Sequence, residues 1–276
     1  MAPENDAVRQ RYAIDGILDR VTRFLRERGV DPQRPTYQDF FPFDQLHGRG
    51  IQATRDHIER ARIESRMHVL DLGCGVGGAS RVIASTCGCR VTGVDLTLQF
   101  VEIARELTRR CGMTDGIEFR QGDALHLPFA EGTFDHVWCH AVTMNIPDKR
   151  MLASEVARVL KSGGRFSCYE MAQGPGGALI FPLPWATDTS ASFLVTPSEM
   201  RRALEDGGLR VIEQNDISEL NIEYAKETRT RAERGEPPLN ANYVVMGSDF
   251  VERLKNASKC AIEGRVVEHF ILSAKD

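Results

Sequence analysis

The stretch 69-VLDLGCGVGGASRV-82 decides how the rest of the chain is read. An apolar run, VLDL, ends in a cluster of glycines and passes into a segment, GGASRV, that suits a helix. Gly73, Gly75 and Gly78 have the spacing G-x-G-x-x-G, which in a strand–turn–helix context brings backbone close to a nucleotide-type ligand. Gly73 and Gly75 permit that approach because no Cβ intervenes. Asp71 complicates the picture. It sets a carboxylate at the mouth of the loop, where an anionic pyrophosphate would be repelled.

Outward from this turn the chain alternates. Strands are expected at 67–72, 90–95, 117–121, 134–139 and 164–170, with helices at 78–87, 97–112 and 149–160 between them. Strand-like segments follow at 209–215 and 265–273. Short apolar strands alternating with helices specify an α/β fold, a parallel sheet with helices on both faces. The last strand suits an antiparallel edge. Upstream, 8–29 has apolar residues at helical spacing (Ile14, Ile17, Leu18, Val21, Phe24, Leu25) and reads as one amphipathic helix. Residues 30–50, with the aromatic patch DFFPFDQLHGRG, read as an irregular loop, and 51–64 as helix. Residues 174–197 are rich in Gly, Pro and aromatics without clean periodicity. Residues 218–263 read mainly as helix, interrupted by GEPPLNAN.

The chain thus divides into a helical N-terminal cap over 1–50, a nucleoside-binding core over 51–173 and a lid or acceptor-pocket segment over 174–208. Residues 209–276 complete the sheet and carry a helical cap insertion at about 218–263. Ligands of open α/β sheets bind at the carboxyl ends of the strands, so 40–50, 174–197 and 218–263 are candidates to roof that edge.

Composition narrows the partners. The 276 residues are 42% hydrophobic, enough for one sizeable core. With 35 basic and 39 acidic residues the net charge is −4, and no basic stripe advertises a nucleic-acid surface. No run approaches the roughly 18 apolar residues of a membrane span, and MAPENDAVRQ has no apolar signal core. A soluble cytoplasmic protein is expected. The 7 cysteines are odd in number, which argues against a disulfide framework. Cys87 and Cys89 have no second pair or histidine cluster beside them, so no metal is expected.

Asp95 ends the second strand, where an acidic residue holds a ribose diol. With Asp71 it selects the cofactor: a ligand that is cationic at one end, with a ribose and an adenine beyond, fits both. S-adenosylmethionine has that form. The stretch 121-QGDALHLPF-129 adds Asp123, placed to accept from an exocyclic adenine amine, and Ala124, whose N–H can donate to a ring nitrogen.

These motifs together resemble those of class I S-adenosylmethionine-dependent methyltransferases over residues 50–170. VLDLGCGVGG, VTGVDL, GDALHLPF and RVLKSGGRF match the family series. The resemblance implies a Rossmann-like sheet of seven strands, mostly parallel with the last antiparallel. It implies S-adenosyl-L-methionine as cofactor, S-adenosyl-L-homocysteine as product, and Leu96 beside Asp95 in the cofactor site. The chain is most similar to the small-molecule branch: sarcosine/dimethylglycine, ubiquinone/menaquinone-type and natural-product methyltransferases, the last of secondary metabolism. By that likeness Gln45, His47 and Gly50 lie near the methionine end, with Thr97 and Gln99 near the ribose.

Methyl transfer is a displacement at a sulfonium carbon, so the protein must position the nucleophile and, for an alcohol or carbon, remove a proton. Glu170, ending the fifth strand, is a candidate base or an attractor for a cationic amine. His140, following the fourth strand at a position where members of the resembled family contact substrate or cofactor, is a candidate for both catalysis and cofactor binding, and His47 is a further catalytic candidate. Asn145, Phe181, Trp185 and Phe193 are expected at the acceptor pocket. His57, His68 and His269 read as structural. The acceptor is left as N, O or C of a small molecule, an amine or an isoprenoid-like natural product. A nicotinamide-dependent oxidoreductase on the same glycine spacing is opposed by Asp71 and GDALHLPF. A cofactor-binding protein without catalysis is not excluded by cofactor motifs. The N-terminal helix either caps the protein's own site or packs against a partner, which leaves a homodimer open.

Overall fold

Seven strands form where the alternation places them: β1 His68–Leu72, β2 Arg90–Asp95, β3 Ile117–Gln121, β4 Phe134–His140, β5 Leu160–Gln173, β6 Arg210–Asp216 and β7 Val266–Ala274. The structure, a computed structural model, describes residues 3–236 and 239–276; Pro237 and Pro238, inside the expected GEPPLNAN interruption, lie outside the described residues. The strand order is β3-β2-β1-β4-β5-β7-β6. Neighbours from β3 to β5 pair parallel, and β7 is antiparallel to both β5 and β6.

The last strand is therefore antiparallel as expected, but it is not an edge. β7 lies inside the sheet because VVEHFILSA is apolar enough to be buried on both faces. β6, RVIEQND, is half-exposed along its length and takes the edge, where polar residues are tolerated.

The helices are α1 Pro3–Tyr12, α2 Ile17–Glu27, α3 Phe41–Asp44, α4 Ile51–Ala61, α5 Gly78–Cys87, α6 Leu98–Arg110, α7 Lys149–Val159, α8 Pro197–Asp206, α9 Ser218–Glu233, α10 Tyr243–Met246 and α11 Phe250–Ile262. No helix is long and apolar enough to cross a membrane among the described residues. The single helix expected over 8–29 is two. The chain turns at Gly16, whose φ of +66° is a left-handed conformation that terminates a helix. The loop expected over 30–50 is more ordered than its composition implies. Thr36 and Asp39 form a capping box, and the following turns bury Phe40 and Phe43 completely. α8 was hidden in the lid segment although its start is written in the sequence: Thr196 caps, Pro197 opens the first turn, and Glu199 reaches back to the Thr196 amide.

The pleat of β4 and β5 decides which side chains can meet. Val137, Cys139, Phe166 and Cys168 pack beneath α7 and α8. Trp138 packs on the other face with Ile58 and Ala61 of α4 and Val82 and Ile83 of α5. By the same alternation His140 and Tyr169 share the α4 face, and Glu170 points to the opposite one.

One buried ion pair binds the N-terminal segment to the core. Arg81 of α5 reaches Asp44 at 3.0 Å and Thr108 at 3.0 Å, and its guanidinium lies over the Phe40 ring. Gly78 makes this possible, since a Cβ there would stand 2.2 Å from the Asp44 carbonyl oxygen. The third glycine of the motif thus serves packing between segments.

Candidate active site

A cavity of about 160 Å³ opens at the carboxyl ends of β1 to β4, and Asp71, Gly73, Gly75, Asp95, Asp123 and His140 line it. Leu96, Thr97 and Ala124 contribute to the same wall, while Val8 and Tyr12 of α1, Trp185 of the lid, and Met246 and Phe250 of the cap form its roof. Gly73 adopts φ +74° and Gly75 φ +52°, and the amides of Gly73 and Cys74 donate to the Val94 carbonyl at 2.8 and 3.0 Å. The loop is therefore pinned to the end of β2.

Asp71 is 2% exposed and accepts from Ser80 Oγ at 2.5 Å. Burial, with the charge of Asp95 adding to it, pushes its carboxyl up to about 6 against the opposing hydrogen bond. Asp95 accepts from the Gly75 amide at 2.9 Å and the Thr97 amide at 2.8 Å, and burial raises its pKa too. It thus joins the glycine loop to the start of α6. Asp123 accepts from the Leu125 amide at 2.9 Å, which curls the GDAL turn toward the cavity. The residues present fit an adenosine-type cofactor with a cationic tail: the buried carboxylate of Asp71 and the half-buried one of Asp95 flank a stretch of bare backbone. At Gly73 a Cβ would collide with Val142 at 2.4 Å, so that stretch tolerates no side chain.

Several residues expected here are engaged elsewhere. Gln45 is buried between the carboxylate of Asp44 and Thr54 Oγ1, at 2.7 and 2.5 Å, and does not line the cavity. Gln99 clamps both backbone groups of Ile14 and so fixes the α1–α2 link instead of facing a ribose. Phe181 packs with the lid cluster around Leu183 and Cys260, and Phe193 sits outside the cavity with its amide on the Met144 carbonyl at 2.8 Å. Gly50 is the residue before α4 and lies outside the lining. Trp185 and Asn145 do reach it. Asn145 accepts from Tyr12 Oη at 3.0 Å and donates to the carbonyls of Trp185 and Ala191 at 3.0 and 2.9 Å, so one amide ties α1 and the lid to the turn after β4. Burial pushes the Tyr12 phenol up to about 12, which keeps it a donor.

Glu170 corrects the sequence reading most. It is 3% exposed, lies on the far face of β5 and does not line the cavity. Its oxygens accept from the Val142 and Thr143 amides at 3.0 Å each and from Cys139 Sγ at 3.2 Å. A carboxylate so occupied holds the post-β4 turn and is not poised to take a proton from an acceptor. Lys149, which sequence reasoning missed, completes the hold: its buried ammonium donates to the carbonyls of Thr143, Ile146 and Phe193. Cys139, Cys168 and Glu170 converge within 4.8 Å, but as a closed hydrogen-bonded group. Glu170→Gln is expected to lower unfolding stability by about 1–2 kcal/mol, read by urea denaturation, because one of two acceptors becomes a donor facing amides. Turnover of the folded variant should stay within a few-fold of wild type; a loss of several orders would return Glu170 to the chemistry.

His140 is 8% exposed, lines the cavity, and has neither ring nitrogen hydrogen-bonded. His47 stacks on it at 3.7 Å between centroids with the rings 13° apart. His47 Nδ1 donates to the Gly48 carbonyl at 3.0 Å, and its Nε2 lies 3.1 Å from Thr54 Oγ1. Behind them stands His57, edge-on to His140 at 5.3 Å and stacked on Trp138 at 3.4 Å. His57 and His136 both reach Ser167 Oγ, at 2.9 and 2.8 Å. Burial lowers the pKa of all four imidazoles, His47 to about 4 and His136 to about 3. His57 itself lies outside the cavity lining, buried as part of the α4 face that its spacing with Thr54, Ile58 and Ala61 marks.

A family profile described as a methyltransferase domain matches residues 70–168. Methyltransferase GfsG of Streptomyces halstedii is 28% identical over 243 residues, covering 87% of this chain and 85% of that protein. The sarcosine/dimethylglycine N-methyltransferase of Halorhodospira halochloris is 28% identical over 212 residues, covering 74% of each. Geranyl diphosphate C-methyltransferase from Streptomyces coelicolor A3(2), solved with Mg2+, geranyl-S-thiolodiphosphate and S-adenosyl-L-homocysteine, shares the fold. Its TM-score is 0.72 at 18% identity, covering 100% of this chain and 99% of that one. The matched domain spans the strand, glycine loop and following strands from which the cavity is built, and the chain is an S-adenosylmethionine-dependent methyltransferase.

Proposed function

We propose that this methyltransferase acts on a hydroxyl or similarly acidic group of a small apolar molecule, with His140 taking the proton. In this reading Asp71 and the backbone of Gly73 and Gly75 hold the cationic amino-acid end of S-adenosylmethionine. Asp95 and Leu96 hold the ribose, and Asp123 and Ala124 the adenine. The cofactor supplies an electrophilic methyl group on a sulfonium. His140 supplies a neutral imidazole at the acceptor side, and His47 fixes its ring plane by stacking. Val8, Met144 and Trp185 keep water from the reacting groups, which favours a displacement that disperses charge.

The observation that carries this reading is His140 itself: a nearly buried imidazole, unpartnered at both nitrogens, in the cavity wall. An amine acceptor would be drawn by a carboxylate. Among the described residues the cavity's carboxylates are Asp44, Asp71, Asp95 and Asp123, all on the cofactor side, and Glu170 faces away. The relatives by name span N, O and C acceptors, so the acceptor atom is argued from the wall chemistry and not from them. Natural-product methylation suits the apolar roof. The test incubates the protein and S-adenosylmethionine with phenols, prenylated quinols and secondary amines, read by mass. A methylated phenol or quinol that His140→Gln does not form supports the reading. Amine methylation with His140→Gln fully active overturns it.

A further inference from the structure

A second cavity, about 680 Å³, lies between α9 and α11 on the outer side of the cap. Phe250, Leu254 and Tyr243 line it, together with Val251 and Ile262. Tyr243, Val251 and Ile262 are 40%, 45% and 36% exposed, so three of the molecule's exposed large apolar side chains gather along one concavity. Single exposed apolar residues need no explanation, but a concave cluster marks a binding surface. The volume is in the range of small-molecule sites.

Two further features indicate what it takes. Phe250 lines this cavity and the cofactor cavity alike, so one ring stands between them. The rim is charged, and most of its charges are matched: Arg229 pairs with Glu233 at 2.9 Å and Lys259 with Glu263 at 4.0 Å. Lys255 lines the same cleft and has no ion-pair partner among the described residues.

We propose that the α9–α11 cleft binds the apolar chain of an amphiphilic acceptor, with an acidic group of that molecule at Lys255 and its methylated end directed past Phe250. This rests on the reading of the protein as a methyltransferase of apolar small molecules. The cofactor cavity holds about 160 Å³, and a bound cofactor would take up part of it, so a chain-bearing acceptor needs space beyond it. The cleft is the adjoining space, with apolar side chains along it and a rim of balanced charges in which Glu236 is taken by Arg231 and Arg234 and Lys255 is left without an ion-pair partner among the described residues.

The test uses cis-parinaric acid, a fluorescent polyene carboxylate, titrated into the full chain. Saturable binding at one site is expected. Val251→Asp, at an exposed position outside the cofactor cavity, and Lys255→Glu should each weaken it by about tenfold or more, which is about 1.4 kcal/mol. S-adenosylmethionine affinity by calorimetry should be unchanged in both variants. No saturable binding to wild type overturns the proposal, as does a Kd unaffected by Val251→Asp. A concentration-dependent dimer that Val251→Asp abolishes, without probe binding, assigns the cleft to a second copy and also overturns it. Failure of wild type to bind S-adenosylmethionine would strike the cofactor reading instead, and the parinaric acid result is read separately from it.

Discussion

Asp71→Asn is expected to weaken S-adenosylmethionine binding by about 30- to 4,000-fold while leaving the protein folded. Truncating one partner of a buried, hydrogen-bonded charge pair costs roughly 2–5 kcal/mol. The asparagine keeps an oxygen for Ser80 and the shape of the site, so the loss reports charge. Burial raises the Asp71 pKa to about 6, with Asp95 contributing and Ser80 opposing. An ammonium ligand needs the carboxylate form. The sign follows: affinity is near full around pH 7 and falls as pH drops through about 6, by at most tenfold per unit. The variant should lose most of that dependence, with Asp95, also raised by burial, accounting for any remaining slope. Thermal stability should hold or rise near pH 7.5. A carboxyl whose folded pKa is raised costs stability once it is ionised, and the amide removes that cost. Calorimetry across pH 5.5–8 reads all of this.

His140→Gln is expected to lower kcat by about 10²- to 10⁴-fold with cofactor affinity within a few-fold of wild type, as for loss of a positioned base. Burial, then the neighbouring His47, His57 and Arg49, lowers the His140 pKa well below 6.5. An ordinary imidazole base would shed activity between pH 7 and 6 as it became protonated. Here kcat at saturating cofactor should stay level over that interval, whereas the cofactor Kd rises through Asp71. Single-turnover rates at fixed saturation separate the two. A variant of undiminished rate would remove His140 from the chemistry, and a kcat that falls with a midpoint near 6.5 would contradict the lowered imidazole pKa.

Much of the cofactor side was legible in the sequence because it is local. Asp71, Gly73, Gly75 and Asp95 lie at strand ends whose apolar runs and glycine turns are visible one segment at a time, and the sheet stacks those ends together. The acceptor side was not, because it depends on faces and partners. Glu170 and His140 both end strands, yet the pleat sends them to opposite faces, and amides 27 and 28 residues away consume the carboxylate. Gln45 and Gln99 lie near cavity residues in sequence, yet Thr54 and Ile14 claim them. Lys149 satisfies carbonyls up to 44 residues off, a role no spacing announces. The edge position of β6 could have been read from its polar alternation, and α8 from its capping box.

The most direct test of the site is a crystal structure with S-adenosylhomocysteine. The expected result has the ligand amine on Asp71, the ribose on Asp95, the adenine at Asp123 and Ala124, and the sulfur open toward the His140 ring. A ligand seated with its amine away from Asp71, or with its sulfur screened from His140, contradicts the assignment.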